Sequence, residues 1–311
     1  MKKVLLIAGG GTLGRYTAKQ LLSKGCEVDV ICLEDCTSDN PKLRYYNHYK
    51  ANADLKYLTE FLKDKYYDGI VNYIHYTPVE DYKPVHKLLS EKTGHLIFLS
   101  SYRVYADLQH PITETAPMLA DVIKDDEEFL KTENYAIPKA KCEKFLREES
   151  GTENWTVVRP VISFSDKRFD LVTVSGREII DAAKSGKTIL LPEAAKNLTA
   201  GLDWAGNSGK LIANLLFKKE CFGESYTVSS GQNLTWGEVA EIYTRLTGVK
   251  FIWTDTQKYV NISNGGYILF YDRLYDRAVD NTKILKATGL NKDDFASVEE
   301  GIIIELDNIN F

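Results

Sequence analysis

The opening run "KKVLLIAGGGTLGRYTAKQLLSKG", residues 2–25, constrains the fold more than any other stretch. Its apolar residues, Val4 to Ala8, are too few for a membrane span and suit a short buried strand. Gly9, Gly10, Gly11 and Gly14 make a turn. Residues 15–25 then read as a helix with Tyr16, Leu21 and Leu22 on one side and Gly25 as its stop. The two lysines ahead of the apolar run resemble a signal peptide only superficially, because no cleavage-like stretch follows.

The same alternation continues. "EVDVICL" reads as a strand, "DLKYLTEFLKDKY" as an amphipathic helix and "DGIVNYI" as a strand, followed by "DYKPVHKLLSEK" as a helix and "GHLIFLSS" as a strand. Strands separated by helices predict an α/β protein, a Rossmann-type doubly wound parallel sheet with helices on both faces. Beyond about residue 165 the elements shorten, which predicts a division into residues 1–165, the sheet domain, and 166–311, a smaller lobe packed on it as one unit. In that second half "TWGEVAEIYTRLTG" is the clearest helix, with Thr235 and Glu238 as a capping box and Gly248 as its stop. Trp204 and Trp236 read as core residues.

Composition narrows the partners. The 311 residues carry a net charge of −5, with 39 basic and 44 acidic residues interleaved along the chain, so a nucleic-acid footprint is weak. No segment approaches the length of a membrane span, and the five cysteines, odd in number and without a CxxC pair, fit a reduced, cytoplasmic protein. His48, His75, His86, His95 and His110 lack metal-ligand spacing, so no metal site is expected.

Glycines between a first strand and its helix let the backbone approach a pyrophosphate while the helix N-terminus supplies free N–H groups. Gly9, Gly11, Thr12, Leu13 and Gly14 are the candidate cofactor-binding positions. Glu34, twenty residues beyond Gly14 and followed by Asp35, is placed to hold the hydroxyls of an adenosine ribose. The adjacent acids Glu34 and Asp35 in "CLEDCTSDN", a stretch with no arginine or lysine, favour NAD, with NADP as the second choice.

Three ordered motifs carry a resemblance over nearly the whole chain. "AGGGTLGR", "LSSYRVYAD" and "YAIPK", followed by "TVVRPVISF", resemble the extended short-chain dehydrogenase/reductase superfamily, in its NAD-dependent epimerase/dehydratase branch. The resemblance implies that Ser101, three residues before Val104-Tyr105, is the active-site serine, and that Tyr135 and Lys139 are the YxxxK pair. Four positions depart from the pattern: Cys32 ends the second strand where many NAD-using members place their acidic residue, which puts Glu34 slightly late in register, and three others differ as well. Ala8 stands where the first glycine is usual, Ile162 where sugar-nucleotide epimerases carry an asparagine, and Ala51 where an aspartate beside the adenine is common.

A tyrosine and a lysine four apart share a helix face, so a nearby ammonium favours the phenolate and makes Tyr135 an acid/base group. The resemblance further implies that Lys139 would hydrogen-bond the nicotinamide ribose and that Ser101 would orient the substrate hydroxyl or carbonyl. Pro138 is tolerable if the helix begins near Asn134, since the first turn loses few hydrogen bonds. Arg273 and Arg277, again four apart, could grip a phosphate or carboxylate of the substrate, or pair with Asp272, Asp276 or Asp280. The expected function is an NAD(P)-dependent epimerase, dehydratase or reductase acting on a sugar-like small molecule, with a nucleotide-sugar as the family's usual substrate and a homodimer as a further expectation. The alternative is a non-catalytic nucleotide-sensing or RNA-binding relative.

Overall fold

The computed structural model describes residues 1–48, 54–263 and 266–311. Ala51, expected near the adenine, lies outside the described residues. Strand β1 (Lys3–Ile7) leads into α1 (Thr12–Ser23), β2 (Glu27–Cys32), β3 (Leu43–Asn47), α2 (Leu55–Leu62), β4 (Gly69–Asn72), α3 (Val79–Glu91) and β5 (Leu96–Leu99). Short helices α4 (Leu119–Val122) and α5 (Glu127–Thr132) precede α6 (Ala136–Glu148) and β6 (Trp155–Pro160). There follow β7 (Ile162–Phe164), α7 (Gly176–Ser185), β8 (Thr188–Pro192), β9 (Leu202–Trp204), α8 (Ala205–Leu215) and β10 (Glu224–Val228). The chain closes with α9 (Trp236–Thr247), β11 (Lys250–Thr254), α10 (Thr256–Ile262), α11 (Gly266–Ile268), a π-helical turn over Leu269–Arg273, α12 (Thr282–Thr288) and α13 (Val298–Asn308).

Among the described residues the main sheet has seven parallel strands in the order β10-β6-β5-β4-β1-β2-β3. Successive side chains of a strand point to opposite faces, and a sheet covered on both sides needs apolar residues at every position. β1 meets that requirement. Val4 and Leu6 pack with Ala18 and Leu21 of α1 and with Leu211 and Leu215 of α8. Leu5 and Ile7 pack on the other side with Leu58 of α2, Tyr82 and Val85 of α3, and Phe145 of α6. The strand order reverses at β1, between β2 and β4, and the loop leaving β1 therefore opens into the crevice where such sheets bind ligands.

The chain crosses back over the boundary expected at residue 165. β10 pairs with β6 from Glu224↔Thr156 to Val228↔Pro160, and α8 packs on α1, so residues from 205 to 228 return to the first unit. Without β10, β6 would be left as an open sheet edge. Close approach of the two helices depends on Gly209, where a Cβ would lie 2.6 Å from the Tyr16 carbonyl carbon. The second lobe is built on Phe164, Phe169, Trp236, Val239 and Tyr243, all buried in one cluster. Thr235 and Glu238 form the expected capping box, and Gly248 ends α9 with φ +75°. Trp236 is buried in the core, while the partly buried Trp204 meets Tyr16 edge-on at 5.3 Å. No described helix is long and apolar enough to cross a membrane.

Candidate active site

A cleft of about 430 Å³ opens at the carboxyl ends of the strands. Its walls are the turn after β1 (Gly11, Thr12, Leu13, Gly14), the segment Leu99–Arg103 after β5, Tyr135, and Pro160–Ser163 after β6. Ile268, Asp272 and Arg273 close it from the second lobe. Helix α1 starts at this wall with Gly11 as its cap residue, and no side chain caps it. The first-turn N–H groups are thus left for another acceptor.

The glycines of the turn have different jobs. A Cβ on Gly14 would lie 2.2 Å from the Gly9 carbonyl oxygen and 2.4 Å from its Cα, so glycine is what lets strand and helix pack. A Cβ on Gly11 would meet nothing within 4 Å, which leaves open space over the uncapped helix end. Such an end, cradled by bare backbone, fits a pyrophosphate. Ala8, in the position of the missing first glycine, has φ +57°, a left-handed conformation that glycine adopts more readily. Glu34 lies beside the turn, its Oε2 2.3 Å from where a Cβ on Gly10 would be. Thr12 turns its hydroxyl to Ser165 at 3.0 Å, and Arg15 is engaged by Asp166, so both tie α1 to the segment after β7.

Ser101 and Tyr135 line the same cleft. Ser101 is buried, and its Oγ accepts the Arg103 backbone N–H at 3.3 Å. Lys139 lies beneath, fully buried: its Nζ is 5.3 Å from the centre of the Tyr135 ring and donates to the Leu99 carbonyl at 2.6 Å. The lysine therefore pins the end of β5 beside Ser101 as well as standing next to the tyrosine. The helix start differs from the expected one. Tyr135 itself is the cap residue of α6, and the carboxylate of Glu133, not the Asn134 side chain, accepts the N–H groups of Tyr135 at 2.7 Å and Ala136 at 2.6 Å. Pro138 falls third in the helix, inside the first turn, where its missing N–H costs little.

Burial pushes the Lys139 ammonium down from 10.5 to about 8. With the folded value below the unfolded one, the unfolded chain binds more protons between these two values, so stability rises with pH across that window. Relative to Lys139→Met, the wild-type protein should gain stability from about pH 8 upward and level off above 10.5, which urea denaturation at a series of pH values will measure.

The remaining motif residues form the frame. Arg159 of "VVRP" is buried and gives Nε to Glu143 of α6 at 3.0 Å and Nη1 to the Tyr105 hydroxyl at 2.8 Å. One arginine thus joins β6, the helix carrying Lys139 and the "VY" pair after Ser101. Arg273 lines the cleft, with Nε on the Val172 carbonyl at 2.7 Å and Nη1 on Asp272. Arg277 is placed otherwise: it is buried behind the wall, bonded to Asp272 at 3.2 Å and to the Tyr105 carbonyl at 3.0 Å. Its Nε is buried without an acceptor, and the residue is not among those lining the cleft, so unlike Arg273 it does not face a ligand bound there.

Three residues of the site, Arg103, Glu133 and His75, were not picked out as site residues from the sequence, and Asp272 was named there only as a salt-bridge partner of Arg273 and Arg277, a pairing the structure contains. Arg103 lies inside the quoted motif "LSSYRVYAD", where a charge two positions after the serine was the available signal. Glu133 sits two residues before Tyr135. His75 stacks on the Tyr135 ring with centres 5.3 Å apart, its Nε2 2.8 Å from the Asn134 carbonyl oxygen. Asp272 is brought in by the π-helical turn, a local winding that frequently marks functional positions. Among the described residues no group of three or more His, Cys, Asp or Glu could hold a metal ion.

Seven parallel strands, an uncapped helix over a glycine turn and an appended lobe closing the cleft define a Rossmann-type fold shared with known sugar-nucleotide epimerases. UDP-glucose 4-epimerase from Thermotoga maritima, determined with UDP-glucose, superposes with a TM-score of 0.71 at 15% identity over 99% of this chain and 98% of that one. The Thermus thermophilus UDP-glucose 4-epimerase in complex with NAD gives 0.68 at 16% identity over 99% of both chains. The Bordetella bronchiseptica enzyme WbmG in complex with NAD gives 0.71 at 15% identity, covering 99% of this chain and 94% of that one. No protein-family model matches the chain, and no curated protein sequence matches it.

Proposed function

We propose that the protein is an NAD-dependent epimerase, dehydratase or reductase acting on a hydroxyl or carbonyl of a sugar-like substrate, with a nucleotide-sugar as the favoured form. The observation that carries this reading is the joining, in one cleft, of an uncapped helix N-terminus with Ser101 and Tyr135. The neighbours named for NAD and UDP-glucose lend it support through their shared fold.

In this reading the N–H groups of Thr12, Leu13 and Gly14 bind the pyrophosphate and Glu34 accepts hydrogen bonds from the adenosine ribose. Lys139, buried beside Tyr135 with its Nζ on the Leu99 carbonyl, would be the residue to hold the nicotinamide ribose. When bound, the nicotinamide supplies the hydride acceptor and donor. The chain's own residues handle the proton: Ser101 Oγ hydrogen-bonds the substrate oxygen, and the Tyr135 phenol exchanges a proton with it as the carbonyl forms or is reduced. Leu99, Val161 and Ile162 give that part of the cleft an apolar wall.

Calorimetric titration with each dinucleotide tests the cofactor half. NAD should bind about tenfold or more tightly than NADP, because Glu34 and Asp35 repel a 2′-phosphate and Arg15, the nearest guanidinium in the motif, is engaged by Asp166. Glu34→Gln should narrow the difference. Equal binding of the two dinucleotides by the wild-type chain would remove Glu34 from the ribose.

A further inference from the structure

Arg103 is held at the centre of the site without being fully used there. Its side chain is 14% exposed and lines the cleft between Ser101 and Tyr135, with the guanidinium 5.1 Å from the centre of the Tyr135 ring. Nη2 donates to Glu133 at 3.0 Å. Nε is buried and has no hydrogen-bond acceptor, Asp272 Oδ2 lying 3.8 Å away. Asp272 has little left to offer, since it already receives the Tyr102 hydroxyl on both oxygens at 3.1 Å, together with Arg273 and Arg277. Nη1 has no hydrogen-bond partner among the described residues.

The charge around the cleft points the same way. Arg103, Arg168 and Arg273 line it, against Asp272 as the one carboxylate among the described lining residues. The next layer adds Arg277, Glu133 and Asp170, the last lying 2.7 Å from Arg168 and 3.7 Å from Arg273. Four guanidiniums against three carboxylates leave one positive charge over, in a chain whose net charge is −5. Lys139, bonded to a carbonyl rather than paired with a carboxylate, adds to that surplus. A partly desolvated cation without a full set of partners favours an anionic ligand, and the planar fork of arginine suits a carboxylate in particular.

We infer that the reacting part of the substrate carries a carboxylate received by Arg103, so that the site selects a sugar acid over the corresponding neutral sugar. The inference rests on the proposed function, which puts the reacting hydroxyl at Ser101 and Tyr135. An anion on Arg103 then lies within the span of one sugar ring from the reacting carbon. Arg273 and Arg168, on the second-lobe side, are instead engaged by Asp272 and Asp170 of the protein.

The test is calorimetric titration of the NAD-loaded protein with glucuronate and glucose, each in free and UDP-linked form. The wild-type chain should bind the acid of at least one pair about tenfold or more tightly than the neutral sugar. Arg103→Met should bring that ratio close to one, and Arg103→Lys should retain part of it, with thermal melting and NAD affinity confirming that each variant is folded. The wild-type preference is itself decisive if a variant does not fold. Equal or weaker binding of the acid in both pairs, or no binding of any of the four, overturns the inference while leaving the dinucleotide site standing. Failure of the wild-type chain to bind NAD overturns the proposed function, and this inference falls with it.

Discussion

Tyr135→Phe should lower kcat by about 10²–10⁴-fold while leaving NAD affinity within a few-fold of wild type, the usual effect of deleting a general acid/base group. The substitution removes one oxygen and leaves the ring, so the His75 stacking partner and the Arg103 guanidinium keep the surface they pack on. The backbone N–H groups of Tyr135 and Ala136 stay on Glu133, and the start of α6 is undisturbed. Initial rates with the best substrate found, alongside calorimetric NAD binding, check both halves. Near-normal kcat in the variant would take the proton-transfer role away from Tyr135.

Gly14→Ala should be the most damaging single methyl group in the chain's N-terminal unit. The new carbon would sit 2.2 Å from the Gly9 carbonyl oxygen and 2.4 Å from the Gly9 Cα, both backbone atoms that cannot rotate away. Strand and helix must part, which costs about 1–3 kcal/mol or more of stability by overpacking. Because the same movement displaces the N–H groups of the α1 N-terminus, NAD affinity should fall about a hundredfold as well. Gly11→Ala separates the two effects. No atom lies within 4 Å of its added carbon, so stability should hold in urea denaturation while NAD binding weakens, the methyl group standing where backbone approaches pyrophosphate.

The features legible in the sequence were those made by neighbours along the chain. β1, the glycine turn and α1 follow from one apolar run, four glycines and one helical face, and the Thr235–Glu238 box is written in four consecutive residues. Ser101 and Tyr135 could be paired because each sits in a short ordered motif, and the structure puts both on one cleft. Contacts between distant segments were not legible. The cluster of Tyr102, Arg103, Asp272, Arg273 and Arg277 joins residues about 170 positions apart, and nothing in "YDRLYDRAVD" says which of its aspartates will be buried. The return of β10 to the main sheet is likewise a matter of pairing partners. Asn134 was the better cap by residue preference, yet the longer side chain of Glu133 reaches two N–H groups at once.

A crystal structure of the protein grown with NAD tests the central claim most directly. The pyrophosphate should lie on the N–H groups of Thr12, Leu13 and Gly14, the adenosine ribose should meet Glu34, and the nicotinamide should enter the cleft beside Ser101, Tyr135 and Lys139. NAD bound elsewhere, or bound with its nicotinamide turned away from Tyr135, would contradict the assignment of this cleft as a hydride-transfer site.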